Sequence, residues 1–162
     1  MVVVTLMRLM LEYLEDNMYK FGLRSKQRLS GVNQDMVNVM SHALSISTRD
    51  FTIIEGLRSI GRQKELVKEG KSKTLKSRHI HGFAIDLVPY PVSWEFPDFF
   101  PVGDAVIQAC KDLDIPLRWG GNWRVRDLRE WEGSAEDLVN AYDGSFYDLP
   151  HFELNSTRYP DP

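Results

Sequence analysis

The spacing of apolar residues along the chain predicts helices that alternate irregularly with short strands. Between residues 33 and 45, apolar side chains recur every three to four positions behind Asn33, a residue type that favours the start of a helix. The same periodicity predicts helices over residues 60–69, 102–113 and 134–142, the last one opened by the capping pair Ser134 and Asp137. Short apolar runs predict strands over residues 51–55, 83–88, 117–119 and 151–154.

The order of these elements predicts an α+β fold. Helices and strands follow one another without the regular strand–helix–strand rhythm that builds a parallel sheet. We therefore expect a small, mostly antiparallel sheet that is flanked by helices. A length of 162 residues suits a single domain.

Residues 1–17 need a separate interpretation, because their apolar start resembles a secretory signal. Arg8 interrupts the apolar run, no basic segment precedes it, and Glu12, Glu15 and Asp16 follow it without a small-residue cleavage site. The run is also too short to span a bilayer. We therefore expect no signal peptide and no stable membrane insertion. A short amphipathic helix of uncertain role would precede one domain over residues 18–162.

Charge and cysteine content narrow the possible functions. The formal net charge of −3 argues against a nucleic-acid binder. The single cysteine, Cys110, excludes a disulfide within the chain and a four-cysteine zinc site. Basic residues are concentrated between residues 58 and 78, with eight of them against two acids. That stretch is either a solvated face or the part of the surface that meets an anionic substrate or polymer.

One short segment combines metal-ligand residue types with an apolar environment. Asp86 lies in the run between Ala84 and Val88, where a buried carboxylate is costly unless it is paired or binds a metal. His79 lies seven positions earlier, and on one continuous strand that odd spacing would place the two side chains on opposite faces. A turn at Gly82 would break the register and allow both to point to one place. Imidazole and carboxylate are zinc-type ligands.

A zinc site needs a third ligand, and the chain offers three further histidines. His151 is favoured, because acids stand three residues before it and two residues after it, which suits a ligand with an adjacent general base. His81 is a weaker candidate at a turn position, and His42 lies on a distant predicted helix without a partner motif. The residues alone leave open that His79, Asp86 and His151 are unrelated polar positions.

Two motifs resemble a known enzyme superfamily. Ser77-x-His79-x-x-Gly82-x-Ala84-x-Asp86, followed by Asp148-x-x-His151, is similar to the zinc metallopeptidases of the D-alanyl-D-alanine carboxypeptidase (VanY-type) and L-alanyl-D-glutamate endopeptidase superfamily. The similarity is greater to phage endolysins of the L-alanyl-D-glutamate peptidase type, and it extends from about residue 19 to residue 154. The resemblance implies a hedgehog or DD-peptidase-like α+β fold with a Zn²⁺ site.

The resemblance also implies roles for single residues. The positions that match the zinc ligands are His79, Asp86 and His151. Asp148 matches the acidic general base, and Arg58 matches the arginine that steadies the carbonyl oxygen in the transition state. Ser77 and Gln63 match positions near the substrate. Beside the resemblance, Trp119 and Trp123 flank Gly120-Gly121, where they would line the substrate groove or belong to the core.

The function that the resemblance implies is hydrolysis of the peptide stem of peptidoglycan between L-alanine and D-glutamate. The alternatives are a D-alanyl-D-alanine carboxypeptidase and a non-catalytic, zinc-containing binding domain of the same fold. An endolysin without an export signal would remain in the host cytoplasm as a monomer until lysis. It would depend on a holin-type partner to reach the cell wall.

Overall fold

The computed structural model describes residues 1–162, except for the side chains of residues 14, 16 and 17. The helices are α1 (Val2–Asn17), α2 (Leu23–Arg28), α3 (Gln34–Ile46), α4 (Ile60–Lys68), α5 (Phe96–Leu113) and α6 (Ala135–Asn140). The strands are β1 (Phe51–Glu55), β2 (Ala84–Pro89), β3 (Leu117–Gly120) and β4 (Asp148–Leu154). Two short 3-10 turns cover Arg78–His81 and Leu128–Glu130.

The four strands form one sheet in the order β1-β2-β4-β3, and every neighbouring pair is antiparallel. The α+β prediction is therefore confirmed. β4 is the last strand in the sequence, yet it lies inside the sheet between β2 and β3. The side chains of β4 consequently meet those of two neighbouring strands.

One face of the sheet packs on helices and forms the core. Ile85, Phe152 and Trp119 lie opposite one another on three strands, and none is more than 1% exposed. α5 approaches this row at Gly103, where a Cβ atom would lie 2.9 Å from the Trp119 ring. α3 packs against α5 through fully buried residues that include Met40. Each large apolar side chain buried in this way stabilises the fold by roughly 1.5–3 kcal/mol.

Two elements begin earlier than the sequence predicts, and each contains a proline near its start. α5 begins at Phe96, because Pro97 occupies the first turn, where a backbone N–H has no helical partner to lose. β4 begins at Asp148 although it contains Pro150. Pairing with β2 is recorded only from His151 onwards, and the register to β3 shifts beside Pro150, so the missing N–H falls at an irregularity of the ladder.

α1 forms the predicted amphipathic helix, but its described apolar side chains are exposed. Leu6, Met7 and Met10 are each exposed by more than half. Arg8 and Glu12 form an ion pair one turn apart along its polar stripe. No helix in the described part of the chain combines the length and apolarity that crossing a bilayer requires.

Candidate metal and catalytic site

A row of three polar side chains crosses the sheet on the face opposite to the core. Glu55 on β1 pairs with Asp86 on β2, and Asp86 pairs with His151 on β4. The register between β1 and β2 shifts between Ile53 and Glu55, so that Ile54 is an extra residue. This bulge brings Glu55 opposite Asp86, since bulges re-aim side chains at a sheet edge.

His79 reaches the same place from a turn rather than from a strand. It lies in the 3-10 turn Arg78–His81, which Ser77 caps. The turn ends at Gly82, whose φ of 68° is in the left-handed region. A Cβ atom there would lie 2.6 Å from the carbonyl oxygen of Gly31, so a side chain does not fit. The predicted break of register at Gly82 is confirmed, and it lets His79 and Asp86 converge.

Three potential metal-donor atoms meet at this point. His79 Nε2 lies 3.3 Å from His151 Nδ1 and 3.3 Å from Asp86 Oδ1. His151 Nδ1 lies 3.1 Å from Asp86 Oδ1. His79 is fully enclosed, and the side chains of Asp86 and His151 are 19% and 12% exposed. These three residues are therefore a group that could hold a metal ion.

In each histidine, the ring nitrogen that lies away from the donor group forms a hydrogen bond that fixes the orientation of the ring. His79 Nδ1 donates to the carbonyl oxygen of Gly56 at 2.8 Å, which leaves Nε2 with a lone pair. His151 Nε2 donates to Glu153 Oε2 at 3.0 Å, which leaves Nδ1 with a lone pair. Metal-binding histidines are oriented in this way by a carbonyl or a carboxylate behind the ring.

Without a metal, a proton is the only cation that these donors can share. Burial lowers the pKa of His151, but hydrogen bonds to Asp86 and Glu153 outweigh burial and raise it to about 9. Burial also raises the pKa of Asp86, and hydrogen bonds to the two histidines reverse this and hold it well below its usual range. The group therefore attracts positive charge strongly, and a metal must displace a proton to bind.

The other two histidines lie outside the group. The exposed His81 ring lies beside Phe83 at 6.1 Å between centroids. His42 Nε2 lies 2.7 Å from Asp112 Oδ2, on α5. Cys110 is buried, and burial raises the pKa of its thiol to about 12, so it is an inert core residue.

Asp148 lines a cleft of about 610 Å³ that also holds His79, Asp86 and His151. Burial raises its pKa, the positive charge of His151 partly offsets this, and Asp86 raises it further. No hydrogen bond or ion pair to its carboxylate is recorded within the described residues. Asp148 is thus a carboxylate with a raised pKa that is open to the cleft, as a general base requires.

Arg58 lines the same cleft, and its guanidinium is held on three sides. Glu55 accepts two hydrogen bonds, from Nε at 2.7 Å and from Nη2 at 2.5 Å. Nη1 donates to Gln63 Oε1 at 2.7 Å and to Ser77 Oγ at 3.4 Å. Of the five guanidinium N–H groups, one on Nη2 remains free, and that nitrogen lies 3.9 Å from Asp86 Oδ2.

The structure corrects one of the two predictions for residues near the substrate. Gln63 is fully buried, so it does not contact a substrate in the cleft. Its amide instead positions Arg58 and donates to Ser72 Oγ at 2.9 Å and to the Thr74 carbonyl at 2.5 Å. Ser77 does line the cleft, and contact between Ser77 and a substrate stays a prediction.

The two tryptophans also differ in position, since only Trp123 lies in the cleft. Trp119 is fully buried, stacks on Phe152 at 5.3 Å and donates its indole N–H to the Leu149 carbonyl at 2.7 Å. Its assignment to the substrate groove is therefore wrong, because strand alternation turns it to the core face. Trp123 lines the cleft, packs beside the His151 ring at 5.6 Å and stacks on Phe146 at 6.2 Å.

Among the residues that the sequence interpretation did not single out, Glu55 and Phe146 also line the cleft. Glu55 ends an apolar strand next to Gly56, and a charge at that place was an available signal for a functional carboxylate. Phe146 is 57% exposed, and nothing in its local sequence distinguishes it from a core aromatic.

Comparisons with known proteins show the family to which the chain belongs. A family model for phage L-alanyl-D-glutamate peptidases matches residues 17–155. The L-alanyl-D-glutamate peptidase of Escherichia phage T5 is 34% identical over 140 residues, which cover 81% of this chain and 98% of that protein. The crystal structure of the Serratia marcescens L-Ala D-Glu endopeptidase ChiX matches with a TM-score of 0.71 at 36% identity, over 90% of this chain and 96% of that one. The resemblance noted in the sequence is confirmed, and the chain belongs to the phage L-alanyl-D-glutamate peptidase family.

Proposed function

We propose that the protein is a zinc-dependent endopeptidase that hydrolyses the L-alanyl-D-glutamate bond in the peptide stem of peptidoglycan. The observation that carries the proposal is the convergence of three donor atoms in a cleft that also presents Asp148 and Arg58. Family membership supplies the substrate class. The geometry supplies the reaction type, because a metal-type donor group beside a free carboxylate is suited to hydrolysis.

Zinc fits the donor set better than calcium or magnesium does. Calcium and magnesium prefer oxygen ligands, whereas His79 and His151 offer two imidazole nitrogens beside one carboxylate. The donor separations of 3.1–3.3 Å agree with the roughly 3.3 Å expected between ligands of a tetrahedral zinc with bonds of about 2.0–2.1 Å. Three protein ligands also leave one position open, as in catalytic zinc sites.

When bound, zinc supplies Lewis-acid polarisation of water and of the scissile carbonyl group. Asp148 takes the proton of the attacking water and later delivers it to the leaving amine of the glutamate residue. The raised pKa of this carboxyl suits both steps, because it strengthens the base and helps the acid form to persist until transfer.

Arg58 stabilises the negative charge that develops on the carbonyl oxygen. Its free Nη2 N–H borders the donor group, and Glu55 and Gln63 hold the guanidinium in place before substrate arrives. A donor that is already oriented costs no reorganisation during the reaction. Trp123 and Ser77, which line the cleft, would contact the peptide stem.

We also propose a biological setting, which the family match supports. We infer that residues 18–162 form the catalytic domain, since the family match begins at residue 17, and that residues 1–17 are an extension. As a phage-type peptidase, the protein would act as a monomer on the host cell wall. It would stay in the host cytoplasm until a holin-type partner opens the membrane.

Mass spectrometry of digested peptidoglycan tests the proposal, with the protein treated by a chelator and then resupplied with zinc. The expected products carry a new C-terminal L-alanine and a new N-terminal D-glutamate, and their formation stops on chelation and returns with zinc. Release of terminal D-alanine alone would show a carboxypeptidase. Zinc binding without any change in the murein would show a binding domain. His81→Ala is the matched control for His79→Ala.

A further inference from the structure

We propose that Lys73 and Lys76 form a subsite for the free carboxylate of the glutamate residue that follows the scissile bond. The proposal rests on the proposed L-alanyl-D-glutamate specificity. Both lysines line the cleft that holds the metal-donor group. They belong to the segment of residues 70–77 between α4 and the 3-10 turn, which we call the basic loop.

The substrate offers a charged group that such a subsite can bind. A glutamate residue has two carboxyl groups, and only one of them is needed to continue the peptide chain. Because its amine takes part in the scissile bond, the other carboxylate lies within one residue of the reacting atoms. It is ionised at neutral pH, since glutamate has an ordinary pKa near 4.3.

The cleft contains four carboxylates, of Glu55, Asp86, Asp148 and Glu153. Glu55 is paired with Arg58, and Asp86 and Glu153 are hydrogen-bonded to His151, but Asp148 makes no ion pair within the described residues. Its charge would repel the free carboxylate of the glutamate, because like charges in a partly buried site are poorly screened. A cation in the cleft that is not already neutralised would offset this repulsion.

Most cations in the cleft are already paired. Arg58 is bound to Glu55 at 2.5 Å, and Lys71 is bound to Glu69 at 2.8 Å. Arg78 is bound to Asp161 at 2.6 Å, and it also donates to two backbone carbonyls. Within the described residues no carboxylate is recorded beside Lys73 or Lys76. These two are the cations that remain available to a ligand.

The basic loop holds its lysines at defined places. Gln63 anchors the loop through Ser72 and Thr74, and the Lys76 backbone N–H donates to Thr74 Oγ1 at 2.9 Å. The amide of Gln63 also binds Arg58. The buried Gln63 side chain therefore sets the position of the basic loop relative to the Arg58 guanidinium.

Lys73 is also placed by the aromatic wall of the cleft. Its Nζ lies 5.8 Å from the centre of the Phe146 ring, Phe146 stacks on Trp123, and Trp123 packs beside His151. A cation over an aromatic face gains a modest attraction and keeps its N–H groups free to bind an anion. A continuous series of contacts through Phe146 and Trp123 thus connects Lys73 to the metal donor His151.

The test compares two synthetic stem peptides that contain the L-alanyl-D-glutamate bond and differ only in the free carboxyl group of the glutamate. One peptide carries the carboxylate and the other carries the neutral amide. The enzyme is the full chain loaded with zinc, as the wild type, as Lys73→Gln/Lys76→Gln, and as the control Lys64→Gln/Lys68→Gln. The control removes two charges from α4, outside the cleft.

The wild type should prefer the carboxylate peptide. The Lys73→Gln/Lys76→Gln enzyme should lose about 10-fold in kcat/KM on that peptide, chiefly through KM, as expected for loss of hydrogen bonds between charged groups. It should lose less than about 2-fold on the amide peptide. Unchanged zinc content and thermal unfolding would show that the fold is intact.

Equal losses on both peptides would overturn the subsite, and so would an equal loss in the α4 control. A wild type that cleaves neither peptide would reject the L-alanyl-D-glutamate specificity, and the subsite with it. A wild type that cleaves both peptides, with kinetics unaffected by the lysines, would reject the subsite alone.

Discussion

The metal-donor group and the basic loop line the same cleft, but they are built in different ways. Asp86 and His151 stand on paired strands, so the backbone ladder fixes their separation. The basic loop has no helix or strand, and its side chains are mostly exposed. One buried amide, that of Gln63, anchors it. Strand pairing therefore fixes two of the three metal donors, whereas side-chain contacts, chiefly those of Gln63, position the basic loop.

This difference separates the expected consequences of substitution. A change among the donors should affect metal content, stability and turnover together, because the same buried contacts serve all three. A change in the basic loop should affect the handling of substrate and leave the metal in place. The predictions below test that separation, from the largest effect to the smallest.

Loss of a metal ligand should have the largest effect. Alanine at His79, Asp86 or His151 should abolish hydrolysis and remove most of the zinc, because two ligands cannot hold the ion in a tetrahedral site. Zinc content by elemental mass spectrometry and hydrolysis of murein measure the two effects. If His81→Ala strips the metal while His79→Ala retains it, the ligand assignment is wrong.

Asp148→Asn should keep the zinc and reduce kcat by about 10²- to 10⁴-fold, the usual contribution of a general base. Steady-state kinetics on a stem peptide, with metal content determined on the same sample, check this. In contrast to the three metal ligands, Asp148 should therefore be needed for turnover but not for metal binding.

Glu153→Gln is the comparison variant for Asp148→Asn. Glu153 accepts a hydrogen bond from the His151 ring, so its loss should weaken zinc binding by about 10- to 100-fold and reduce turnover less. Full zinc content with no activity in Glu153→Gln, beside an active Asp148→Asn, would reverse the two roles.

The metal-free protein should lose stability as the pH rises from about 6.5 to 9. The folded-state pKa of His151 is about 9, above its unfolded value near 6.5, so its contribution is complete below pH 6.5 and disappears as the pH passes 9. The loss should reach up to about 3 kcal/mol. Urea unfolding at several pH values measures it, and a zinc-loaded sample should show no such decline.

Gln63→Ala should affect the basic loop and substrate handling without affecting the metal. It releases the basic loop and one contact of Arg58, so we expect a higher KM and a lower kcat, together about 10-fold in kcat/KM, with normal zinc content. Gln63→Glu keeps the acceptor for Arg58 but loses the N–H groups that bind the loop. Compared with Gln63→Ala, its kcat should therefore return closer to the wild-type value, while its KM stays high. Loss of zinc in Gln63→Ala would show that the basic loop and the metal-donor group are not separate.

Deletion of residues 1–17 should have the smallest effect. The family match begins at residue 17, and the described apolar side chains of α1 are exposed. A protein that begins at Met18 should therefore fold and cleave murein at close to the full-length rate. A loss of thermal stability on deletion would show that α1 packs on the domain.

Much of the metal-donor group could be predicted from the sequence. Asp86 in an apolar run required a partner, and the odd spacing to His79 required the turn that Gly82 provides. Their convergence could be predicted because it depends on local chain geometry. The choice of His151 needed long-range pairing between β2 and β4, which the family resemblance supplied and the residues alone left open.

Other parts of the cleft depend on contacts that periodicity does not encode. The bulge at Ile54 brings Glu55 opposite Asp86, and a one-residue shift of register is invisible in the alternation of β1. Trp119 and Trp123 flank the same glycine pair, yet one lies in the core and the other in the cleft. The burial of Gln63 could not be predicted from its polar helix, because it depends on the loop that this amide anchors.

The place of β4 in the sheet has a consequence for the synthesis of the protein. β4 comes after every other strand in the sequence, but it fills the gap between β2 and β3, and it supplies the partner for Asp86 from 65 residues away. Pairings over such distances form slowly, and until then both neighbouring strands present open edges. A chain that is still being translated therefore cannot assemble the metal site. The enzyme becomes competent to bind its metal only when the last strand has been made and inserted.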